Sequence, residues 1–190
     1  TKTSEDILPE TFDVIVTNPP FGKKLSIDST DILNLYNLGH KWNSLPNGGF
    51  EMGALADKQP PQLLFIERCF QMLRPGGRLG IVLLESIFGM PKYQYVVNYI
   101  RSQAKINAVV TLPEDLFQPH THAKCCVLVC QKYKKGESVA SCGNYDIFMS
   151  DVKWCGHDSR GNITYTYTDT GEKVILDEVP LVADRYREMR

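Results

Sequence analysis

Long apolar runs are missing from this 190-residue chain, and their absence restricts where it can act. No stretch approaches the ~18 consecutive apolar residues that a membrane helix needs. The first residues, Thr1 to Glu10, are polar and show no signal-peptide pattern. We therefore expect a soluble, cytoplasmic protein that has no membrane partner.

An excess of charge is also missing. The formal net charge is −1, so no global positive field draws the chain to nucleic acid. Any contact with nucleic acid has to come from local patches or from other parts of a larger protein. The compact basic clusters are Lys23–Lys24 and the group Lys132, Lys134 and Lys135, which we interpret as solvated surface rather than phosphate sites.

Cys-x-x-Cys pairs are absent although the chain has six cysteines, which gives a structural zinc site little support. Cys125, Cys126 and Cys130 lie in an apolar run, where a free thiol behaves as a small core hydrophobe. Cys142, Cys155 and His157 could converge on a metal ion, but nothing in their spacing requires it. We predict no metal site.

What the chain does contain is an alternation of strand and helix patterns. Strands are predicted at Phe12–Thr17, Arg78–Glu85, Ile106–Leu112 and His122–Lys132, and amphipathic helices at Gln62–Leu73 and Lys92–Gln103. This order indicates an α/β domain with a largely parallel sheet in which the first strand is buried. About ten residues join the last two strands, too few for a parallel crossover, so that pair is predicted to be antiparallel.

Two other regions differ in composition. Residues 22–58 are polar and lack a clear period, which predicts a long loop with turn chemistry at 45–49. From about Lys134 the chain favours short strands, at Tyr145–Met149 and Ile163–Tyr167, before a helix that begins at Val182. We predict a catalytic unit at residues 1–135 and a β-rich extension at 136–190.

The motif that carries chemistry is Asn18-Pro19-Pro20-Phe21, placed directly after the first strand. In open α/β sheets, ligands bind at the carboxyl ends of the strands. An aromatic amine is a poor nucleophile because its lone pair is delocalised into the ring. The Asn18 side chain and the Pro19 carbonyl can each accept one N–H and localise that lone pair. The two prolines fix the backbone, and Phe21 offers a stacking face for an extruded base.

A plain turn that ends a strand is the simpler interpretation of Asn-Pro-Pro alone. The preceding Phe12-Asp13-Val14-Ile15-Val16-Thr17 changes that balance, because Phe12 to Gly22 resembles the catalytic motif of amino-directed DNA adenine methyltransferases. Residues 64–82 resemble the helix and following strand of the same family, and residues 109–132 its last two strands. Residues 146–162 resemble a segment of the type I-like members. The nearest resemblance is to modification subunits of type I restriction systems and to related fused type II enzymes.

The resemblance implies specific roles and a partial fold. Asn18, Pro19 and Pro20 would form the catalytic site, with Phe21 and Phe117 against the target base. Phe65 would border the adenine of S-adenosylmethionine, although core packing explains Phe65 about as well, and a loop anchor explains Phe117 about as well. Glu85 ends a strand at the same edge. A functional acid and a solvated or helix-capping acid explain this position equally well.

The Gly-rich turn and the acidic residue with which this family binds its cofactor do not occur before Asn18. We therefore expect the C-terminal half of a class I, Rossmann-like methyltransferase sheet, with strand order 4-5-7-6 in the family's numbering. We expect weak cofactor binding and no activity from this chain alone, and an unpaired apolar edge at Val14–Val16 that a partner chain or loop covers. The parent protein would methylate DNA with S-adenosylmethionine, and the resemblance implies specificity and restriction subunits as its partners.

Two alternatives stay open. Asn-Pro-Pro-aromatic motifs also occur in methyltransferases that act on RNA bases or on protein glutamine amides, which present the same delocalised lone pair. A degenerate methyltransferase half could instead serve as a non-catalytic scaffold. The intact Asn18-Pro19-Pro20-Phe21 disfavours the scaffold, because an assembly surface has no need of that geometry.

Overall fold

The chain folds around one mixed sheet with helices packed on it. The computed structural model describes residues 8–21, 25–46, 48–119 and 121–189. The strands are β1 (Phe12–Thr17), β2 (His40–Ser44), β3 (Phe50–Leu55), β4 (Leu73–Leu84), β5 (Ala104–Thr111), β6 (Cys125–Lys132), β7 (Phe148–Asp151), β8 (Tyr165–Tyr167) and β9 (Lys173–Ile175). The helices are α1 (Thr30–Leu33), α2 (Pro61–Met72), α3 (Ser86–Gly89), α4 (Gln94–Gln103), α5 (Val139–Cys142) and α6 (Val179–Glu188). Single 3-10 turns lie at Asn37–Gly39, Pro91–Tyr93 and Glu114–Phe117.

Five of the described strands form the main sheet, in the order β1-β4-β6-β5-β7. β1 is parallel to β4, and β5 is parallel to β7, whereas β6 runs antiparallel to both β4 and β5. The predicted antiparallel pair is therefore confirmed. So are the α/β class and the order 4-5-7-6, which corresponds to β1-β4-β6-β5.

The core lies where α2 and α4 pack on the sheet. α2 contributes Leu63, Ile66 and Phe70, whose spacing puts them on one helix face, and all three are almost fully buried. α4 adds Val96 and Ile100. The periodicity in the sequence predicts both helices because their apolar stripes face the sheet.

The prediction that Lys132 lies on the solvated surface is wrong. Its ammonium donates to the Phe70 and Leu73 carbonyls at 2.8 Å each, and to the Glu10 carboxylate at 2.8 Å. Cations are favourable at the carbonyl-rich end of a helix, so this lysine caps α2. Lys134 and Lys135 are exposed, and Lys23–Lys24 lie outside the described residues.

β1 is parallel, as predicted, but the prediction that it is buried is wrong. Within the described part of the chain it pairs with β4 alone, so it is an edge strand. Val14 is 46% exposed and Val16 82% exposed. The expected unpaired apolar edge is thus confirmed. No loop among the described residues covers it, and its covering by a partner chain stays a prediction.

The prediction of a long loop at residues 22–58 is the largest error in secondary structure. It contains α1 and an antiparallel hairpin of β2 and β3. The turn chemistry at 45–49 does connect those strands, although Asn47 itself lies outside the described residues. Trp42 of this hairpin stacks on Tyr95 of α4, with ring centroids 6.0 Å apart, a tertiary contact that local pattern cannot reveal.

The C-terminal extension is joined to the main sheet through β7. The predicted strand at Tyr145–Met149 lies a few residues later, at Phe148–Asp151, and pairs with β5. β8 and β9 form a small hairpin, and α6 packs its Tyr186 ring 5.4 Å from that of Phe148. Among the described residues, no helix is long and apolar enough to cross a membrane.

Gly39 should tolerate no side chain. A Cβ built at this position would lie 2.0 Å from the Leu33 carbonyl oxygen. This is a backbone atom, so the clash could be relieved only by a shift of the main chain. We expect Gly39→Ala to lower the free energy of unfolding by about 1–3 kcal/mol in urea titrations, as overpacking does. Gly89→Ala is the matched control, because a Cβ there meets nothing within 4 Å. Equal stability of the two variants would contradict this.

Candidate functional site

The carboxyl ends of the parallel strands gather the chemical groups at one edge of the sheet. β1 ends at Thr17, which lies opposite Ile81 of β4. Asn18 therefore follows at the level of the last residues of β4. Prolines cannot donate to a ladder, which is why β1 stops there. β5 ends at Thr111 and leads into the 3-10 turn Glu114–Phe117.

The predicted catalytic motif and one of its predicted partners meet at this edge. Asn18 and Pro20 are exposed, Pro19 is buried, and Phe21 is half-buried. The ring of Phe21 lies edge-on to that of Phe117, with centroids 6.4 Å apart and planes at 66°. Two aromatic side chains from distant parts of the sequence thus form one apolar surface beside an exposed amide. Gly22, the last residue of the motif, lies outside the described residues.

Phe65 does not join that pair but lies on the exposed side of α2. Its side chain is 40% exposed, unlike the core residues of the same helix. It borders two apolar concavities, one of about 430 Å³ against β1, lined by Val14, Val16 and Thr17, and one of about 210 Å³. The lining of the larger concavity ends at Thr17, one residue before the motif.

The smaller concavity was missed by sequence reasoning. Phe65 faces Ile27, Ile32 and Tyr36 there, all from the segment predicted as a loop. The Ser29 side chain, which accepts a hydrogen bond from the Ile32 amide, is the one local signal of the short helix α1. Nothing local in the sequence indicates that this helix packs beside Phe65.

A third cavity, of about 830 Å³, lies at the carboxyl ends of β5 and β7 and is lined mainly by their last residues and the residues that follow them. Glu85 lines it, so this residue is at the sheet edge as predicted. It occupies the N-cap position of α3, although its side chain makes no capping hydrogen bond. The charged residues of the lining are Glu85, Glu114, Asp115, Asp151, Lys124 and Lys153. Lys124 pairs with Glu114 at 3.6 Å, so the balance is acidic and disfavours a phosphate. Among the described residues, no cluster of three or more His, Cys, Asp or Glu could hold a metal ion.

Burial governs the thiols on β6, which lie in the core as predicted. It raises the pKa of Cys125 to about 11 and that of Cys126 to about 12, from the usual 9.0. These thiols stay protonated at neutral pH, so neither is a candidate nucleophile.

The raised thiol pKa values predict a loss of stability in alkali. Above about pH 9 the thiol ionises in the unfolded chain but stays protonated in the native protein. The thiol therefore contributes its full stabilisation below that pH, and this contribution is lost as the pH rises toward the pKa of the native thiol. For Cys126 we expect the free energy of unfolding to fall by roughly 1.4 kcal/mol per pH unit in this window. Urea titrations between about pH 8 and pH 11 measure it, and Cys126→Ala should reduce the slope. An unchanged slope in that variant would contradict the raised pKa of Cys126 as the cause of the alkaline loss of stability.

The family model for N-6 DNA Methylase matches residues 1–162 of the chain. The chain belongs to this family. The resemblance drawn from the sequence is confirmed, and the N-6 DNA methylase family accounts for all of β1 to β7.

Two curated proteins illustrate the family relationship. The chain is 22% identical over 189 aligned residues to the methylase subunit of the type I restriction enzyme EcoEI from Escherichia coli, a match that covers 90% of this chain and 34% of that protein. It is 29% identical over 119 residues to the type II methyltransferase M.XhoI from Xanthomonas vasicola, covering 56% of this chain and 19% of that one. The chain therefore spans about a third of the length of the first relative and about a fifth of the second.

Solved structures share the fold. A type I restriction-modification methyltransferase subunit from Streptococcus thermophilus aligns over 100% of this chain and 34% of its own, with a TM-score of 0.56 and 17% identity. A Listeria monocytogenes protein described as a class I S-adenosylmethionine-dependent methyltransferase aligns over 75% and 37%, with a TM-score of 0.52 and 19% identity. The class I methyltransferase fold expected from the sequence is confirmed.

Proposed function

We propose that this chain is part of a DNA adenine methyltransferase and that Asn18-Pro19-Pro20-Phe21 is its catalytic motif. The observation that carries the proposal is the contact between Phe21 and Phe117 beside the exposed Asn18. An extruded base needs an apolar face and a nearby acceptor for its amine. The family match and this arrangement support the same chemistry.

Asn18 and Pro19 act on the amine in this proposal. The Asn18 side-chain oxygen accepts one N–H of the target amine, and the Pro19 carbonyl accepts the other. The nitrogen then moves toward tetrahedral geometry, and its lone pair becomes available as a nucleophile. Pro19 is buried and Pro20 follows it, so the acceptors are held before the base arrives, as in other preorganised sites. Phe21 stacks on the base, and Phe117, whose ring lies edge-on to that of Phe21, borders it.

Phe65 is the residue of this chain that would hold the cofactor. S-adenosylmethionine, when bound, supplies an electrophilic methyl group. The exposed ring of Phe65 between two apolar concavities fits a planar adenine ring. The remaining cofactor contacts belong to a longer protein, since the chain spans about a third of its relatives.

A restriction-modification role follows from the type I and type II relatives. DNA is then the substrate, and specificity and restriction subunits are the expected partners, in the cytoplasm where the DNA lies. Residues 1–135 form the catalytic unit in this proposal, and residues 136–190 form an extension that β7 docks on the sheet. This chain alone is expected to be inactive.

The proposal is tested by competition among acceptors. The full-length protein, together with any subunits encoded beside it, is given labelled S-adenosylmethionine with DNA, RNA and a glutamine-containing protein. We expect the label on DNA. Label on RNA or on a glutamine amide would keep the roles of Asn18 and Pro19 but refute the substrate, and label nowhere would favour the scaffold.

A further inference from the structure

The buried polar side chains of this protein are concentrated around α2. In the described part of the chain they are Gln59, Gln62 and Glu67, and the last is only 2% exposed. Burying a carboxylate costs a large amount of free energy unless its oxygens are hydrogen-bonded. The partners of Glu67 therefore indicate what this carboxylate does.

Both oxygens of Glu67 bind one corner of the chain. Oε1 accepts from the Asn37 amide at 2.9 Å and from the Asn37 side chain at 3.2 Å, and Oε2 accepts from the Leu38 amide at 2.8 Å. Hydrogen bonds to an ionised carboxylate are about twice as strong as neutral ones. Glu67 thus fixes the backbone of the 3-10 turn Asn37–Gly39 against α2.

Gln59 holds the same corner from its other side. Its side-chain amide donates to the Leu38 carbonyl at 2.9 Å and to the His40 carbonyl at 3.3 Å. The backbone of Gln59 also exchanges two hydrogen bonds of 2.9 Å with Ile27, which closes the segment that follows the catalytic motif. The segment from residue 27 to residue 59 is therefore a docked unit rather than a free loop.

The held corner determines one wall of the smaller concavity. Tyr36 directly precedes Asn37, and Tyr36 and Ile32 line this concavity of about 210 Å³ opposite Phe65. Phe65 and Glu67 belong to the same helix, so one rigid element carries the aromatic ring and the carboxylate that fixes the facing wall. We propose that Glu67 is a positioning residue, which sets the distance between Tyr36 and Phe65 and thereby the fit of the cofactor's adenine ring. This inference rests on the proposed function.

Glu67→Gln in the full-length protein tests the inference. Glutamine keeps the volume, but it has one acceptor oxygen, and its NH2 group would face a backbone N–H. We expect the KM for S-adenosylmethionine to rise about tenfold, the equivalent of ~1.4 kcal/mol, with kcat at saturation within about twofold of wild type. Hydrogen exchange by mass spectrometry in a peptide that spans residues 33–40 should become faster.

The matched control is Glu51→Gln, an exposed carboxylate on β3 in the same segment, which should change neither readout. Asn37→Ala removes one of the three hydrogen bonds and serves if Glu67→Gln does not fold; its KM should rise less, in the same direction. Faster exchange with an unchanged KM would overturn the positioning role and leave a purely structural one. Unchanged exchange would show that Glu67 does not hold the corner. A wild-type protein that transfers methyl groups to no acceptor would refute the proposed function and the cofactor role together, while the exchange result still decides whether Glu67 is the clamp.

Discussion

Replacing Asn18 by alanine in the full-length protein should lower the rate of methyl transfer by about 10²–10³-fold, the loss typical of removing one preorganised polar group. The amine would keep the Pro19 carbonyl as its one acceptor, so its lone pair would stay largely delocalised. Binding of S-adenosylmethionine should be unchanged, because Asn18 lies beyond the end of β1 and outside the linings of the concavities at Phe65. Single-turnover assays with labelled cofactor measure the rate directly.

Asn98→Ala is the control for Asn18→Ala. Asn98 is exposed on α4, so it undergoes the same chemical change on a surface away from the sheet edge. We expect full activity from Asn98→Ala, and thermal denaturation curves of both variants that match wild type. If Asn18→Ala retained more than about a tenth of the wild-type rate, the amide would not be the acceptor that the chemistry requires.

Phe70→Ala should cost the most stability of the changes considered, about 3–5 kcal/mol, because it removes a buried aromatic ring and leaves a cavity. Phe70 is 1% exposed, belongs to the core, and packs its ring 6.5 Å from that of Tyr99. Urea titration of the chain gives the free energy of unfolding directly.

Phe65→Ala provides a comparison on the same helix. Phe65 is 40% exposed, so the same substitution should cost about 1 kcal/mol or less. It should instead weaken cofactor binding by the full-length protein. Equal losses of stability at positions 65 and 70 would show that Phe65 is a core residue and would remove it from the proposed cofactor site.

The sequence predicts most of the main sheet because its signals are local and strong. The apolar run Phe12–Thr17 followed by two prolines identifies β1 and its end, and Leu63, Ile66 and Phe70 recur at helical spacing in α2. The reversed direction of β6 follows from the length of one connection. The residue pattern of β1 wrongly predicts burial, because an apolar strand looks the same whether it is central or at an edge. Its edge position is expected only from the family resemblance.

The hairpin of β2 and β3 shows where local pattern ends. β2 reads His-Lys-Trp-Asn-Ser, which has no apolar alternation. Its Trp42 stacks on Tyr95, and the turn that precedes it is bound by Glu67. Both are contacts between distant segments, and both involve residues that look ordinary in the sequence. The wall of Tyr36 opposite Phe65 was missed for the same reason.

The candidate site divides along the same line. Asn18, Pro19 and Phe21 are adjacent, so their motif can be identified in the sequence and its chemistry worked out from the residue types. Phe117 could be assigned only through family resemblance, and its contact with Phe21 is a product of the fold. A sequence motif identifies functional residues that are adjacent in the chain. Which distant residues lie beside them depends on how the strands are ordered in the sheet.

The most direct measurement is nucleoside mass spectrometry of plasmid DNA from a host that lacks its own adenine methylation and expresses the full-length protein with any subunits encoded beside it. The account predicts N-6-methyladenine in that DNA, and its loss when Asn18 is replaced by alanine. Unmodified adenine in the presence of the folded wild-type protein, or equal methylation by the Asn18→Ala variant, would contradict it.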